Sequence, residues 1–250
     1  MATILMPLPS NDFDPTEAAV PWLILVAKGH RVVFATPDGK PGKADAKMVT
    51  GRGLGLLASI LRADANGKKA YAQMAASAEF LQPHSYGKIA IESFDALILS
   101  GGHAPGMKPY LESTLLQEKV AEFFNAGKPV GAICHGVVLA ARSKLPSGLS
   151  VLHGKKTTAL TQPMEMSAWA LTCLWLKDYY RTYPQTVQSE VSAALAKPED
   201  FVVGPMSTKR DSPGDLGAGF TVRDGNYLSA RWPGDAHRFA TEFVTMLPAV

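Results

Sequence analysis

The chain is poor in cysteine, since only Cys134 and Cys173 occur among its 250 residues. Two cysteines are too few for a disulfide framework in a chain of this length, and neither stands in a paired metal-ligand spacing. This scarcity argues against a disulfide-rich secreted module and against a cysteine-based metal site. It favours a reducing compartment, and no metal or other cofactor is expected.

Long hydrophobic runs and concentrated charge are also missing. No segment approaches the roughly 18 consecutive apolar residues of a membrane span. The apolar run at the N-terminus is broken by Pro7 and Pro9 and has no basic leader. The net charge of +3 is spread along the chain. The sequence therefore predicts a cytoplasmic protein that binds neither a membrane nor nucleic acid.

The first half of the chain alternates between short apolar runs and helix-like runs. "ATILMPL" predicts a strand, and "DPTEAAVPWLILVAKG" predicts a helix with Asp14 as its N-cap and Pro15 at its first position. "HRVVFATP", "FDALILSGG" and "PVGAIC" predict three more strands, with helices after the last two. These strands are apolar throughout, which is typical of a parallel sheet covered by helices on both faces. We predict one α/β domain over residues 1–250.

The segment from about Gly42 to Lys88 interrupts this alternation. It predicts two or three helical pieces with no strand between them, inserted between the second and third strands. Insertions at strand ends of an open α/β sheet often lie near the ligand crevice, so a cap over the site is one interpretation. A peripheral helical addition is the other.

The second half predicts fewer regular elements. "GKKTTALT" predicts a strand, and "PMEMSAWALTCLWLKDYY" predicts a long amphipathic helix in which Cys173 packs beside apolar neighbours. "AGFTVRDGNYLSARW" predicts a hairpin that turns at Asp224 and Gly225. A closing helix follows, with His237 near its start as a surface or capping residue.

Cys134 stands between a predicted strand and a predicted helix, in "AICHG". Ala132 and Gly136 flank it at the spacing of a nucleophile elbow, where larger side chains would collide as strand and helix converge. Such a turn places the sulfur at a helix N-terminus, which favours the thiolate. A small buried hydrophobe at a strand end is the alternative, and the local sequence leaves both open.

A second glycine turn, "LSGGHAPG", follows the preceding strand. Its amides, that of Gly102 in particular, are candidates for an oxyanion hole together with the amide of His135. Gly101 and His103 are candidates for the substrate pocket, and Trp232 is a further candidate for its wall. Two such turns at successive strand ends favour a reaction site over simple packing.

The stretches "DFDPTEAAVPWLILVAKGHRVVFATPDG", "ALILSGGHAPG" and "GKPVGAICHG" resemble the ThiJ/PfpI superfamily within the class I glutamine amidotransferase-like fold. Within it they are most similar to the glutathione-independent glyoxalase (glyoxalase III) and heat-shock chaperone branch. The resemblance implies a flavodoxin-like three-layer sandwich with a mostly parallel central sheet. It implies that Cys134 is the nucleophile, that His135 is the histidine after it, and that Glu17 is the glutamate that hydrogen-bonds the thiol. A homodimer is common in the superfamily.

Two glutamates carry competing interpretations. Glu17 in "DPTE" also fits a capping box, in which it would bond the N-cap backbone. Glu165 matches the acid of the resembled branch and would orient His135, but it also fits a first-turn glutamate favoured by the helix dipole. No H-x-E pattern follows Cys134, which disfavours glutamine hydrolysis.

The resemblance and the residues together predict a cysteine-dependent, glutathione-independent enzyme that converts 2-oxoaldehydes such as methylglyoxal to 2-hydroxy acids. Its partner would be a small carbonyl substrate. The alternatives are a holdase chaperone that binds unfolded clients, a redox sensor built on an accessible cysteine of low pKa, and, less favoured, a cysteine peptidase or amidase.

Overall fold

The computed structural model describes residues 1–249. Its strands are β1 (Thr3–Pro7), β2 (Asn11–Phe13), β3 (Arg31–Thr36), β4 (Lys43–Ala44), β5 (His84–Ser85), β6 (Ala96–Leu99), β7 (Val130–Ile133), β8 (Thr221–Asp224) and β9 (Tyr227–Ala230). Seven of them form one sheet in the order β5-β3-β1-β6-β7-β9-β8, and β2 pairs with β4 separately. Only β8 and β9 pair antiparallel in the large sheet. The predicted, mostly parallel sheet is confirmed.

Helices cover both faces of this sheet. They are α1 (Pro15–Ala27), α2 (Ala46–Thr50), α3 (Ala58–Leu61), α4 (Ala65–Ala75), α5 (Ala78–Leu81), α6 (Lys108–Leu111), α7 (Thr114–Asn125), α8 (Gly136–Arg142), α9 (Gln162–Leu176), α10 (Val187–Ala194) and α11 (Ala236–Val244). Helix α1 packs against α4 and α11, whereas α8 packs against α7 and α10. The arrangement is the three-layer α/β sandwich that the sequence predicts. Within residues 1–249, no helix combines the length and the apolarity needed to cross a membrane.

The central strands lie in the core because every residue in β6 and β7 is buried. Gly131 of β7 has a packing role, since a Cβ there would come within 2.8 Å of the Phe239 ring and 3.0 Å of the Phe243 ring. Glycine at this position lets α11 approach the sheet closely. Strand β7 is thus held between layers directly before Cys134.

The segment 42–88 contains the predicted helical pieces, α2 to α5, together with two short strands that the sequence analysis missed. Strand β5 extends the sheet edge by pairing with β3, and β4 pairs with β2. Two-residue strands carry no usable periodicity, which explains the omission. Helix α4 packs on α1, where a Cβ at Gly67 would lie 2.5 Å from the Oγ1 atom of Thr16.

The strand predicted in "GKKTTALT" is wrong. The place beside β7 in the sheet is occupied by β9, and the backbone of Thr157 instead bonds the loop at Asp200 and Val202. The hairpin is confirmed, with Asp224 opposite Tyr227 and Gly225 at a φ of 59°.

The packing that the sequence predicts for the amphipathic helix after residue 161 is only partly present. Leu171, Leu174 and Trp175 of α9 are 58%, 94% and 48% exposed, whereas the buried residues of the helix are Glu165 and Thr172. Ala168, Trp169 and Leu176 pack instead against a small buried cluster of Met48, Leu54 and Tyr180, and Cys173 is partly exposed.

His237 also differs from its predicted surface or capping position. It is buried, and its Nδ1 atom lies 3.1 Å from the Oδ1 atom of Asp211. The pairing partner lies in a distant loop, so nothing near His237 in the sequence indicated it.

Candidate active site

Cys134 occupies a strained turn between β7 and α8. Its φ is 56°, in the left-handed region that non-glycine residues rarely adopt, at a cost of about 1–3 kcal/mol. The Cys134 amide donates to the carbonyl of Ala230 at 3.0 Å, which fixes the turn to β9. A Cβ at Gly136 would lie 2.2 Å from the carbonyl oxygen of Leu99, so the turn requires glycine there. The elbow geometry that the sequence predicts is present.

The second glycine turn touches the elbow directly. A Cβ at Gly101 would lie 2.6 Å from Glu17 Oε2 and 2.8 Å from the His135 amide nitrogen. Next to it, Gly102 lines the same cavity as Cys134. Within residues 1–249 the amide of Gly102 has no protein acceptor, and the backbone amide of His135 acts to lower the pKa of the Cys134 thiol, although burial outweighs it. Both predicted oxyanion donors therefore lie beside the thiol.

Glu17 does not form the capping box. Its Oε2 atom accepts a hydrogen bond from the Gly101 amide at 3.0 Å, and its Oε1 atom is buried without a partner at good geometry. The Asp14 amide, which a capping box would occupy, donates to the Gly101 carbonyl at 2.9 Å. Asp14 itself is the predicted N-cap and accepts from the amides of Thr16 and Glu17. Glu17 is thereby free to face Cys134.

The electrostatics of the site differ from the sequence-based expectation of a stabilised thiolate. Burial, followed by the nearby Glu17 and Asp14 carboxyls, raises the pKa of the Cys134 thiol. Burial also raises the pKa of Glu17, as does the Asp14 charge, and it raises the pKa of Asp14 to about 6. The attraction of a helix N-terminus is outweighed because the sulfur is only 4% exposed and faces two carboxyls. Burial therefore favours the protonated form of both Cys134 and Glu17 in this site.

Hydrogen bonding fixes the tautomer of His135. Thr182 donates its single hydroxyl proton to the carbonyl of His103 at 2.6 Å, so it accepts from Nε2–H of His135 at 3.0 Å. The unprotonated Nδ1 atom then faces the Cys134 sulfur at 3.5 Å. Burial lowers the pKa of His135 to about 3, so the ring is neutral at ordinary pH. The Nδ1 atom is placed to accept a hydrogen bond from the thiol. Because the pKa of His135 lies far below that of the thiol, the ring holds the thiol proton only transiently, while the sulfur adds to an electrophile.

Replacing Thr182 with valine is expected to lower kcat about tenfold or more, because the His135 tautomer loses its anchor. The KM is expected to change little, since Thr182 contacts His135 and not the cavity. Steady-state kinetics with methylglyoxal would measure both constants. Thr182→Ser keeps the hydroxyl and should stay near the wild-type rate, so a serine variant as impaired as valine would contradict the assigned role.

The structure does not place Glu165 against His135. One carboxylate oxygen of Glu165 accepts from the Val187 amide at 2.9 Å, and the other lies 3.4 Å from the Nε atom of Arg181. Because Thr182 occupies the far nitrogen of the His135 ring, the predicted triad role of Glu165 is wrong. Glu165 instead lies in the cavity wall.

A cavity of about 430 Å³ opens above Cys134. Its polar lining includes Asp14, Glu17, Glu165 and Arg210, and its apolar lining comes largely from outside the sheet: Met48, Ile60, Leu61, Leu160, Met164, Ala168, Leu171, Met206, Trp232 and Pro233. Three of these residues, Met48, Ile60 and Leu61, belong to the segment 42–88. That segment therefore contributes to the cavity wall, as a cap would.

His103 lines the cavity, as predicted, and belongs to an aromatic cluster. Its ring stacks on Tyr180 with centroids 4.3 Å apart and meets Tyr179 edge to face. Burial lowers the pKa of His103 to about 4. The Nε2 atom of His103 and the hydroxyl of Tyr180 are both buried without partners, so they are available to a bound molecule.

Several site residues were missed by the sequence analysis. Thr182 and Tyr180 come from the irregular stretch between α9 and α10, and Arg210 comes from the one between α10 and β8, where no motif marks them. The doubled tyrosine in "KDYY" at a helix end was the one local signal available. Residues 1–249 contain no cluster of three or more His, Cys, Asp or Glu side chains suited to a metal ion.

Comparison with known proteins bears on this arrangement. The model of the family described as "ThiJ/PfpI family-like" matches residues 8–205. A deglycase from Pyrococcus horikoshii is 25% identical over 244 residues, 96% of each chain. A glutathione-independent glyoxalase from Schizosaccharomyces pombe is 33% identical over 82 residues, 32% of this chain and 33% of its own.

Solved structures show the same fold. The crystal structure of glyoxalase III from Candida albicans superposes with a TM-score of 0.68 at 19% identity, covering 100% of this chain and 98% of that one. Drosophila melanogaster DJ-1beta superposes with a TM-score of 0.57 at 16% identity, covering 100% of this chain and 91% of that one. The elbow, the paired glycine turns and the matched residues lead to one conclusion: the chain belongs to the ThiJ/PfpI family.

Proposed function

We propose that this protein is a cysteine-dependent, glutathione-independent enzyme of the glyoxalase type, which converts 2-oxoaldehydes such as methylglyoxal to 2-hydroxy acids. The observation that carries the proposal is the convergence of three groups on one buried sulfur. The Nδ1 atom of His135 lies 3.5 Å from the Cys134 sulfur, and Glu17 and the backbone amide of His135 both act on the pKa of the thiol. Relatives named as deglycases and as a glyoxalase support the same class of chemistry.

The reaction begins with addition of Cys134 to the aldehyde carbon. A bond forms between Sγ and that carbon while the thiol proton passes to Nδ1 of His135, and the aldehyde oxygen becomes an oxyanion. The amides of Gly102 and His135 stabilise this oxygen. The imidazolium returns its proton to the oxygen, because the low pKa of His135 makes it a ready acid. The product of this step is a hemithioacetal.

Glu17 then moves a proton between the two carbons. As the carboxylate it removes the hydrogen from the former aldehyde carbon, and the neighbouring ketone oxygen takes up the hydroxyl proton of that carbon by way of the enediol. Glu17 then returns its proton to the neighbouring carbon. The result is a thioester of a 2-hydroxy acid. Water attacks the thioester, releases the acid and restores the thiol. The net reaction adds one water molecule to the 2-oxoaldehyde to give the 2-hydroxy acid, and it needs no external oxidant or reductant.

The experiment that tests this function is turnover of methylglyoxal in D2O without glutathione and with a chelator present. Formation of lactate with deuterium at C2, observed by proton NMR, is the expected result, because Glu17 exchanges its proton with solvent in the enediol. Retention of the aldehyde hydrogen at C2 contradicts the role of Glu17 when Glu17→Gln also leaves the rate unchanged, because a buried carboxyl can return the proton that it removed. The absence of any 2-hydroxy acid from a panel of 2-oxoaldehydes would overturn the proposed function.

A holdase chaperone is the second candidate, and the exposed face of α9 favours it. Leu171, Leu174 and Trp175 are at least 48% exposed, and Leu56 and Met206 are also exposed. Exposed apolar groups of this kind are typical of surfaces that bind other molecules. The redox-sensor alternative loses support, because it requires an accessible cysteine of low pKa and burial raises the pKa of the Cys134 thiol.

A further inference from the structure

Arg210 presents an unused charged donor to the cavity. It lies in the irregular chain between α10 and β8 and lines the same cavity as Cys134. Its Nη2 atom donates to the carbonyls of Arg62 at 3.3 Å and Ile60 at 3.5 Å, and its guanidinium lies 5.2 Å from the ring centroid of Trp232. Its Nη1 atom is buried and has no hydrogen-bond partner. The guanidinium is thus held in place while one nitrogen is left unpaired.

The charge of this guanidinium has no close counter-ion. Within residues 1–249, no carboxylate lies within 4.0 Å of Arg210. Its charge acts at longer range to lower the pKa values of Asp14 and Glu17, although burial dominates both. Arg210 is also the single Lys or Arg among the residues that line the cavity. An anion bound there would meet one fixed positive charge.

The size and lining of the cavity indicate a substrate larger than methylglyoxal. A cavity of about 430 Å³ falls in the range of about 300–1,000 Å³ that holds drug-sized ligands. Its wall is mostly apolar, with Met48, Leu160 and Trp232 among the lining residues. Such a wall suits an apolar body of the size of an aromatic ring, with polar groups only at defined points.

We propose that Arg210 binds a carboxylate on the substrate, and that the preferred substrates are 2-oxoaldehydes with an apolar body between this carboxylate and the aldehyde that Cys134 attacks. The unpaired Nη1 atom can donate a charge-assisted hydrogen bond to a carboxylate, while Nη2 holds the guanidinium on the backbone. Stacking on Trp232 and bonding to the carbonyls of Ile60 and Arg62 orient the guanidinium in advance. This inference rests on the proposed function for the reaction at Cys134, but not for the binding of the anion.

The first test compares two aldehydes that differ in charge. We expect the wild type to show a kcat/KM at least about tenfold higher for 4-carboxyphenylglyoxal than for phenylglyoxal, and Arg210→Met to lose this preference. Lys209→Met is the matched control, because Lys209 is exposed and paired with Asp215, and it should keep the wild-type ratio. Initial rates are needed, with intact-mass analysis, because phenylglyoxals also modify arginine.

The outcome for Arg210→Met separates two roles. Loss of the preference for the carboxylated aldehyde supports anion binding. Equal loss with both aldehydes would overturn the inference, since it would mean that Arg210 acts by adjusting Asp14 and Glu17. A wild type without preference would overturn it as well.

A second measurement does not depend on turnover. We expect benzoate to bind the wild type at least about tenfold more tightly than benzamide by calorimetry, and Arg210→Met to remove the difference. Benzoate binding that depends on Arg210, without turnover of any aldehyde, would uphold the anion site and refute the proposed function. Turnover without charge preference and without benzoate binding would refute the anion site alone.

Discussion

Replacement of Cys134 by alanine is expected to reduce lactate formation from methylglyoxal by about 10⁴-fold or more. In the proposed reaction Cys134 forms the covalent bond through which every later step passes, and no other cysteine, serine or lysine lies in the elbow. Alanine removes only the buried sulfur atom and keeps the Cβ atom, so we expect the variant to retain the strained turn. The measurement is the rate of lactate formation, with the free energy of unfolding determined beside it.

Cys173→Ala is the matched control for this variant. Cys173 is the one other cysteine of the chain and is partly exposed on α9, so its loss should leave the rate unchanged. A Cys134→Ala protein that still forms lactate at the wild-type rate would refute covalent catalysis.

The same variant also tests the second candidate function. If the protein is a holdase, Cys134→Ala should suppress aggregation of a model client as well as the wild type does.

Replacement of Glu17 by glutamine is expected to lower kcat by about 10²- to 10⁴-fold. Glutamine retains an oxygen that can accept from the Gly101 amide, but it cannot carry a proton between the two carbons of the substrate. Addition of the thiol would still occur, so the hemithioacetal should accumulate and be visible by native intact-mass analysis as an adduct of one substrate mass. A Glu17→Gln variant with a normal kcat would show that another group moves the proton.

The same variant makes a prediction about stability. The folded-state pKa of Glu17 lies well above its ordinary value of 4.5, because the carboxyl is buried. Above about pH 4.5 the folded chain therefore binds more protons than the unfolded chain, and the stabilisation is lost as the pH rises through the folded-state pKa. Glu17→Gln carries no such proton.

The free energy of unfolding of Glu17→Gln should accordingly exceed that of the wild type by about 1 kcal/mol or more at pH 8. The difference should vanish below about pH 4.5, where Glu17 is protonated in both states. Asp14, whose pKa burial raises to about 6, is present in both proteins, but its charge also raises the pKa of Glu17, so Asp14→Asn is compared alongside. Urea unfolding at several pH values measures it, and a wild type more stable than the variant at pH 8 would contradict the raised pKa.

Local sequence was sufficient for the elements whose geometry is determined within a few residues. The strand β7, the elbow at Cys134 and the cap at Asp14 follow from residue size, chain order and capping chemistry, and the structure contains all three. The role of Glu17 was ambiguous locally, because "DPTE" also fits a capping box. It took the contact with Gly101, 84 residues away, to resolve the ambiguity.

The errors share a physical cause. Thr182 lies 47 residues beyond His135, and Arg210 follows a stretch with no helix or strand, so no period or motif could place either in the site. Helix α9 carries an apolar pattern, but the pattern does not state which side of the helix faces the protein. The resemblance implies that Glu165 orients His135, but its nearer partners at Val187 and Arg181 satisfy it first.

The residues of the cavity wall and the proposed reacting groups come from different segments of the chain. The sulfur, its base and its oxyanion donors sit on the ends of β6 and β7, whereas Ile60, Leu171 and Arg210 come from segments outside the sheet. Substitutions in those segments can alter which carbonyl compound enters without disturbing the strained turn. A lineage that keeps the elbow and varies the wall can therefore diversify its substrates while it retains one reaction.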